Sequence, residues 1–443
     1  MLFTRKDIVK IVIPLIIEQL LAVTIGMFDS MMVSQAGEAA ISGVSLVDSV
    51  NLLLINLFAA LSSGGAVVVS QYLGKKDPQK ASDSAKQLVL TVVIISTLTA
   101  VGAICFRVPL LKLIFGKIEA DVMANARVYF LITAMSYPFL GLYSAGAATF
   151  RSMGNSKITM LVSMMMNVIN VSGNAFFIFS LSMGAAGAAL ATLISRIVGS
   201  AVILSLLRNQ KHIACIRGWT KAKPDWAIIK SICRIGVPSG IENSMFQFGK
   251  LITQSIVSTF GTTSIAANAV ANTLTNLQFL PGTAINLAII TVVGRCIGAR
   301  ELQQAKSYSN RLLLTAYGAI TSISVIIVAL LPALLSIYDL SPASTELARQ
   351  LVLMHSVMVC VFWPLSFCTP NTFRAAGDVK YTMVVSTLSM WICRVGAAYL
   401  YSYTLGLGAM GVWLAMFTDW VCRTCFFATH YFKGTWLKKF RSV

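Results

Sequence analysis

Two carboxylic acids lie inside the first apolar run of the sequence, and their spacing places them on one face of a helix. Glu18 and Asp29 are eleven residues apart, so they lie within about 20° of each other around the helix axis, separated by about 16 Å of rise. An acid inside a membrane helix costs at least ~2.5 kcal/mol unless it is paired, hydrated or neutralised. Asp29 is therefore predicted to exchange a proton, sodium or a cationic substrate, and a structural acid bonded to Asn, Ser or backbone is the alternative.

Glu242, Lys250 and Asp48 are further charged side chains within apolar runs. Glu242 recurs at the position of Glu18, each four residues after a proline, which suits either an acid that couples ions or protons or a role in helix packing. Lys250 either pairs with an acid across a cavity or extends its amine towards water. Asp48, near the outer end of its run, is predicted to lie at a hydrated rim, with substrate or ion as its partner.

Asn167, Asn170 and Asn174 are spaced three and four residues apart and form one polar face of a helix. Amide oxygens inside a helix bundle can bind sodium or line a wet cavity, whereas hydrogen bonding between helices is the structural alternative. We therefore assign Asn167 to the polar lining and consider a sodium ion near Asp29, Asn170 and Asn174.

Four other charged residues in apolar runs are predicted to be structural. Asp419 and Arg423 are four residues apart on one helix face and form a cluster with Arg394. Arg196 is predicted to join the cytoplasmic rim.

The chain contains two copies of one sequence, about 224 residues apart. Residues 69–81 (VSQYLGKKDPQKA) recur as 293–305 (VGRCIGARELQQA). Residues 150–163 (FRSMGNSKITMLVS) recur at a shift of 223 as 373–386 (FRAAGDVKYTMVVS). Such duplication in an apolar chain is typical of transporters.

The composition excludes a soluble globular protein. Of the 443 residues 56% are hydrophobic and 12% are charged, whereas soluble domains carry about 25% charged residues. We predict an all-α polytopic membrane protein with twelve transmembrane helices in two six-helix repeats, related by a pseudo-twofold axis along the membrane normal. The predicted organisation is an N-terminal bundle (1–207), a cytoplasmic linker (208–231) and a C-terminal bundle (232–443). The predicted spans are 11–33, 46–70, 87–106, 122–146, 158–180, 185–207, 232–258, 268–293, 311–335, 349–370, 381–403 and 409–431.

The net charge of +19 follows the topology rather than a nucleic-acid surface. Of the 35 Lys and Arg residues, 26 fall at the two termini and in every second loop, whereas the alternate loops at 34–44, 181–184, 259–267 and 404–408 carry none. The exception is the loop between the third and fourth spans, which carries Arg107, Lys112 and Lys117. This alternation predicts a multi-pass protein of the cell membrane with both termini in the cytoplasm. Membrane lipids are the expected partners of the basic loops, and nucleic acid is not.

No pattern in the sequence supports catalysis or a cofactor. Residues 406–411 (GLGAMG) match a dinucleotide fingerprint, but they lie in a turn between two apolar runs with no strand before it. His212, His355 and His430 are too scattered for a zinc site. We therefore predict that the protein is not an enzyme and binds no cofactor. Its coupling ion is predicted to be H+ or Na+, and no other metal is expected.

Three sets of segments resemble the MATE (multidrug and toxic compound extrusion) family: PLIIEQLLAVTIGMFDSMMVSQAG at the start, FRSMGNSK with its second copy FRAAGDVK, and GAAGAALAT, which opens the sixth span. The resemblance covers essentially the whole chain and both halves, and it is nearest to the DinF-like prokaryotic subgroup. It implies an antiporter that exports cationic or amphiphilic organic compounds in exchange for H+ or Na+. We predict that the protein is a monomer.

The resemblance also carries over site residues. The acid of the family's first helix matches Asp29, the helix-five Asn and the acid four residues later match Asn170 and Asn174, and the helix-six Thr matches Thr192. An amide at Asn174 cannot be protonated, which puts a two-carboxylate site in the N-terminal half in question. Family members with an ion site in the C-terminal half use an acid on helix seven, the helix that carries Glu242.

A flippase for lipid-linked precursors is the main rival, since the same superfamily architecture supports it. That function favours fourteen spans and a strongly cationic cavity for pyrophosphate, whereas most basic residues here lie in loops. A membrane enzyme or channel is disfavoured by the missing catalytic constellation. The major-facilitator signature G-x-x-x-D-R-x-G-R-R is absent from the loop that begins at Gly74.

Overall fold

The computed structural model describes residues 2–116, 119–216, 218, 223–338 and 340–437, and none of these residues lies in a strand. The predicted linker 208–231 includes residues 217 and 219–222, which lie outside the described residues. The C-terminal basic residues Lys438, Lys439 and Arg441 lie outside them as well.

The described residues of the first half form eight helices. They are α1 (Arg5–Ser34), α2 (Glu38–Gly74), α3 (Pro78–Cys105), α4 (Arg107–Phe115), α5 (Ala120–Met135), α6 (Tyr137–Ser152), α7 (Ser156–Asn174) and α8 (Gly184–Leu207). A π-helical turn, Ala175–Ser180, extends α7.

The second half repeats this pattern with more breaks within its helices. Its helices are α9 (Trp226–Ser258), α10 (Gly261–Gly298), α11 (Leu302–Ser336), α12 (Pro342–Trp363), α13 (Thr369–Ala375), α14 (Val379–Leu388), α15 (Ala397–Tyr399) and α16 (Gly408–Phe432). Its π-helical segments are Pro364–Cys368, Ser389–Gly396 and Leu400–Thr404.

The helices fit the predicted membrane topology. Nine helices within the described residues are long and apolar enough to cross a membrane, when helices joined by a π-helical segment are counted as one. The pair α5 and α6, which is bent by 45°, forms a tenth. The remaining long helices are α9, with 33 residues, and α16, with 25. Both carry charged residues in their interiors, and both are long enough to cross a ~30 Å hydrocarbon layer. The set is consistent with the predicted twelve spans.

The backbone repeats the duplication that the sequence predicts. Lys76 and Arg300, 224 positions apart, both adopt a left-handed conformation, with φ of 58° and 60°. Non-glycine residues rarely adopt this conformation, because Cβ approaches the following carbonyl. Gly184 and Gly408, at the starts of α8 and α16, share φ of 54° and 55°. Equivalent turns therefore end and begin equivalent helices in the two copies.

The chain divides into two compact units, Phe3–Gly240 and Ile241–Val443, with Leu2 joining the latter. In the first unit an apolar core between α2, α5 and α8 is built around Val47, Phe130 and Ala189, which are fully or almost fully buried. In the second unit a smaller core joins α9 to α16.

Candidate functional site

The first unit contains a polar cavity of about 550 Å³, within the size range of small-molecule sites. Residues of α1, α2, α5, α6, α7 and α8 contribute to its lining. The polar residues among them are Asp29, Ser30, Ser45, Asp48, Asn51, Tyr129, Thr133, Tyr143, Asn167, Asn170, Thr192, Ser195 and Arg196.

The residues predicted for an ion site come together in this cavity. Asn174, fully buried at the end of α7, donates a hydrogen bond from Nδ2 to Oδ1 of half-buried Asp29 on α1. The amide of Asn170 donates to Oγ1 of Thr192 at 3.2 Å and accepts from Nδ2 of Asn174 at 3.4 Å. The polar chain thus runs from Asp29 on α1 through α7 to Thr192 on α8.

Close packing of α7 against α8 positions this chain. A Cβ atom added at Gly173 would lie 2.9 Å from the Cβ of Ala191, too near for any larger residue without a shift of the backbone. Gly173 therefore allows the two helices to approach, and this approach brings Thr192 within hydrogen-bond distance of Asn170.

A second polar group surrounds Asp48 on α2. The carboxylate oxygen Oδ1 of Asp48 accepts from Tyr129 Oη at 3.0 Å and from Asn51 Nδ2 at 3.2 Å. The carbonyl oxygen of Asn51 in turn accepts from Tyr137 Oη at 2.6 Å. Asp48 itself is exposed and lines the cavity.

Arg196 on α8 supplies the positive charge of the cavity. Its Nη1 donates to Ser136 Oγ at 2.6 Å, and its charge acts on both Asp29 and Asp48. No ion pair within 4.0 Å joins it to either acid in the described part of the chain. The prediction that Arg196 joins a cytoplasmic rim was wrong, because its side chain lies in the cavity beside the acids.

Two buried polar atoms at the site have no hydrogen-bond partner among the described residues: Nδ2 of Asn167, which lines the cavity, and Oδ1 of Asn174, whose Nδ2 bonds Asp29. Buried polar atoms are normally satisfied, so two unsatisfied atoms at this site fit the binding of water, an ion or a ligand. Carboxylate, amide and hydroxyl oxygens are the ligands that hard cations such as Na+ prefer. Two carboxylates face one guanidinium here, which favours a positively charged occupant.

The structure does not bring Glu18 or Glu242 into this cavity. Glu18 is 7% exposed, forms an ion pair with Arg151 at 3.1 Å and accepts a hydrogen bond from Thr159 at 2.8 Å. Glu242 forms the equivalent ion pair with Arg374 at 2.7 Å. These contacts favour the helix-packing alternative for both acids, and their coupling role stays a prediction.

The structural cluster predicted near the C-terminus is confirmed in its contacts. Asp419 is fully buried and pairs with Arg423 at 2.8 Å and with Arg394 at 4.0 Å. Lys250 is exposed and lies in the same unit as these residues rather than in the Asp29 cavity.

Sequence reasoning missed a buried polar network in the second unit. His355 Nδ1 lies 2.5 Å from Gln278 Oε1, and Gln278 Nε2 donates to Ser356 Oγ at 2.6 Å. The partners are 77 and 78 positions apart, so no local spacing could have indicated them. No cluster of three His, Cys, Asp or Glu residues suited to a metal ion occurs among the residues described.

Comparison with known proteins agrees with the duplicated architecture. The MatE family model matches residues 14–176 and 238–400, two segments offset by 224 positions. The chain is 27% identical to the "Uncharacterized transporter YisQ" of Bacillus subtilis (strain 168), over 92% of this chain and 90% of that protein. It is 24% identical to the "Probable multidrug resistance protein NorM" of Thermotoga maritima, over 98% and 94%.

Solved structures share the fold. The structure titled "Crystal structure of MATE in the straight conformation" superposes with a TM-score of 0.89 at 22% identity, covering 98% of this chain and 97% of the other. The "Outward-facing conformation of a multidrug resistance MATE family transporter of the MOP superfamily" gives a TM-score of 0.89 at 22% identity, covering 98% and 96%.

Proposed function

The chain belongs to the MatE family, a family of multi-pass membrane transporters, and we propose that it is a secondary active antiporter. It exports cationic or amphiphilic organic compounds across the cell membrane in exchange for H+ or Na+, by alternating access and with both termini in the cytoplasm. Several relatives are named probable multidrug resistance proteins, which supports this substrate class.

The observation that carries the proposal is the position of Asp29 in the cavity of the first unit. Asp29 is a half-buried carboxylate that accepts one hydrogen bond from the described residues, donated by Asn174. A proton, a sodium ion and a cationic substrate all compete for such a group. Competition couples the two fluxes, because the occupant that binds one conformation better shifts the equilibrium towards that conformation.

The surrounding oxygens determine what the cavity accepts. Asn170, Asn174 and Thr192 supply neutral oxygens on one side of Asp29, and Asp48 supplies a second carboxylate from α2. Asn174 cannot take a proton, so protonation at this part of the site falls to Asp29. The second acid of the cavity is Asp48, which lies on a different helix from the position that the family resemblance indicated.

The flippase alternative is less well supported. A pyrophosphate group needs a cluster of cations, whereas the cavity of the first unit holds two carboxylates and the single guanidinium of Arg196.

Dye export from inverted membrane vesicles tests the proposal, with a proton gradient and a sodium gradient applied separately. Asp29→Asn is expected to abolish gradient-driven export in the vesicles that carry it, because the amide cannot exchange a cation. The matched control is Asp83→Asn, which removes an acid that is 43% exposed and pairs with Lys86 on α3. The same export rate for Asp29→Asn and Asp83→Asn, at equal protein levels, would remove Asp29 from the mechanism.

A further inference from the structure

The second unit contains a group of cations, two of them buried arginines, with too few acids to balance it. Asp419 is its carboxylate, and Oδ1 of that residue is already bonded by Arg423 Nε at 2.8 Å and by Ser389 Oγ at 2.5 Å. Arg394, whose side chain is 9% exposed, lies 4.0 Å from the other oxygen of Asp419. One carboxylate therefore serves two guanidinium groups.

A third cation lies on the helix that packs against both arginines. The ring of Phe246 on α9 lies 5.4 Å from the Arg394 guanidinium and 5.5 Å from the Arg423 guanidinium. Lys250 follows Phe246 by four residues, so both side chains occupy the same face of α9. The charge of Arg394 also acts on Lys250.

No acid within the described part of the chain neutralises the excess. Lys250 forms no ion pair there, and Glu242, the nearest acid before it on α9, is paired with Arg374. The Nε atom of Arg394 is buried without a hydrogen-bond partner among the described residues. Unbalanced charge inside a membrane protein is costly, and buried guanidinium nitrogens are normally bonded, so this arrangement favours a bound anion.

Aromatic rings continue from the two guanidiniums. The ring centroid of Phe367 lies 5.9 Å from that of Phe246 and 5.2 Å from that of Trp363. Trp363 in turn stacks on Phe279, with 5.5 Å between the ring centroids. The three phenylalanines are partly exposed. A row of aromatic faces beside a cationic group suits a ligand that has an apolar body and an anionic end.

We propose that Lys250 and Arg394 form an anion-binding site in the second unit, which takes the carboxylate of an aromatic or amphiphilic organic compound. The ammonium of Lys250 and the unbonded Nε of Arg394 donate to the carboxylate, and the rings around Phe367 contact the apolar part. The site is separate from the cavity at Asp29 and does not rest on the proposed cation exchange.

Binding of 1-naphthoate to the purified full-length protein tests the site, measured by isothermal titration calorimetry in phosphatidylcholine nanodiscs. Lys250→Gln is expected to weaken naphthoate binding about tenfold, the loss of one charge-assisted hydrogen bond. Lys250→Glu is expected to abolish it. Lys250 is the position to change because it is exposed, whereas loss of Arg394 or Asp419 endangers folding. Lys112→Gln, an exposed cation on α4, is the matched control and is expected to bind naphthoate like the wild type.

Several results would overturn the assignment. The wild type could fail to bind naphthoate, or Lys250→Gln could bind it as strongly as Lys112→Gln. Another is equal binding of 1-naphthylmethylammonium, which carries the same ring and the opposite charge. Displacement of naphthoate by an equal concentration of chloride would indicate a site for inorganic anions, and displacement by phosphatidylglycerol in the nanodisc would indicate a lipid headgroup. This experiment measures binding and not transport. A negative result therefore rejects the anion site without bearing on the export proposed to depend on Asp29, which the vesicle assay tests.

Discussion

Replacing Glu242 with Gln is expected to destabilise the fold, because the change leaves Arg374 charged and without its carboxylate inside the second unit. The two groups are 2.7 Å apart, and their side chains are 7% and 16% exposed. At an effective dielectric constant of about 20, two unit charges at this distance attract each other by about 6 kcal/mol before desolvation is counted. Breaking a buried pair on one side typically costs about 3–5 kcal/mol, and we expect a loss of this size.

The chain offers a matched control in the ion pair between Glu346 and Arg349. Its distance, 2.9 Å, is nearly the same, but its side chains are 50% and 53% exposed. Solvent screens such a pair, so Glu346→Gln is expected to lower the stability far less than Glu242→Gln does. The contrast between the two Glu→Gln variants therefore isolates burial, with the substitution and the contact distance held nearly constant.

Reversible unfolding in mixed micelles of a mild detergent and dodecyl sulfate measures these free energies. The double variant Glu242→Gln with Arg374→Met is expected to be more stable than Glu242→Gln alone, because it removes the uncompensated cation. A loss for Glu242→Gln no larger than that for Glu346→Gln would refute the reasoning. If such a stable variant also failed to export dye, Glu242 would be a coupling acid rather than a packing residue.

Two further changes test the cavity and the helix packing. Asn174→Asp replaces the donor to Asp29 with a second carboxylate, so the variant is expected to have a lower melting temperature than the wild type in sodium-free buffer. Sodium would neutralise the added charge, so NaCl is expected to stabilise the variant more than choline chloride does. Equal effects of the two salts would contradict this. Gly43→Ala places a Cβ atom 2.9 Å from the backbone nitrogen of Ala126 and is expected to lower the free energy of unfolding by about 1–3 kcal/mol. The control is Gly26→Ala, whose added Cβ has no atom within 4 Å and which is expected to leave the stability unchanged in the same assay.

The fold could be predicted from the sequence because its signals are long and repeated. The twelve apolar runs and the 224-residue offset between the two copies each depend on many residues, so a misread single position does not change the predicted fold. The meeting of Asp29 with Asn170 and Asn174 was also predicted. Helix periodicity placed the asparagines on one face, and the family resemblance supplied the neighbouring helix that periodicity cannot identify.

Contacts between distant helices limited the prediction of the site. Arg151 was counted only as a loop cation, so its ion pair with Glu18, 133 residues away, was not foreseen. Arg196 was assigned to a rim because charge statistics describe which side of the membrane a residue favours, not which interior group it faces. Its position beside Asp48 depends on how α8 packs against α2, which no local pattern encodes.

The π-helical segments explain how one copy tolerates an added residue. The left-handed glycines Gly154 and Gly377 are 223 positions apart, whereas Gly184 and Gly408 are 224 apart, so the second copy gains a residue between these points. In that interval the second copy has the π-helical segment Ser389–Gly396 in addition to Leu400–Thr404, where the first copy has Ala175–Ser180 alone. A π turn bonds residues five apart rather than four, so the insertion widens a helix instead of lengthening a loop. Residues on either side of it keep their neighbours, and the duplicated halves have diverged in length inside the lipid layer without losing their common ends.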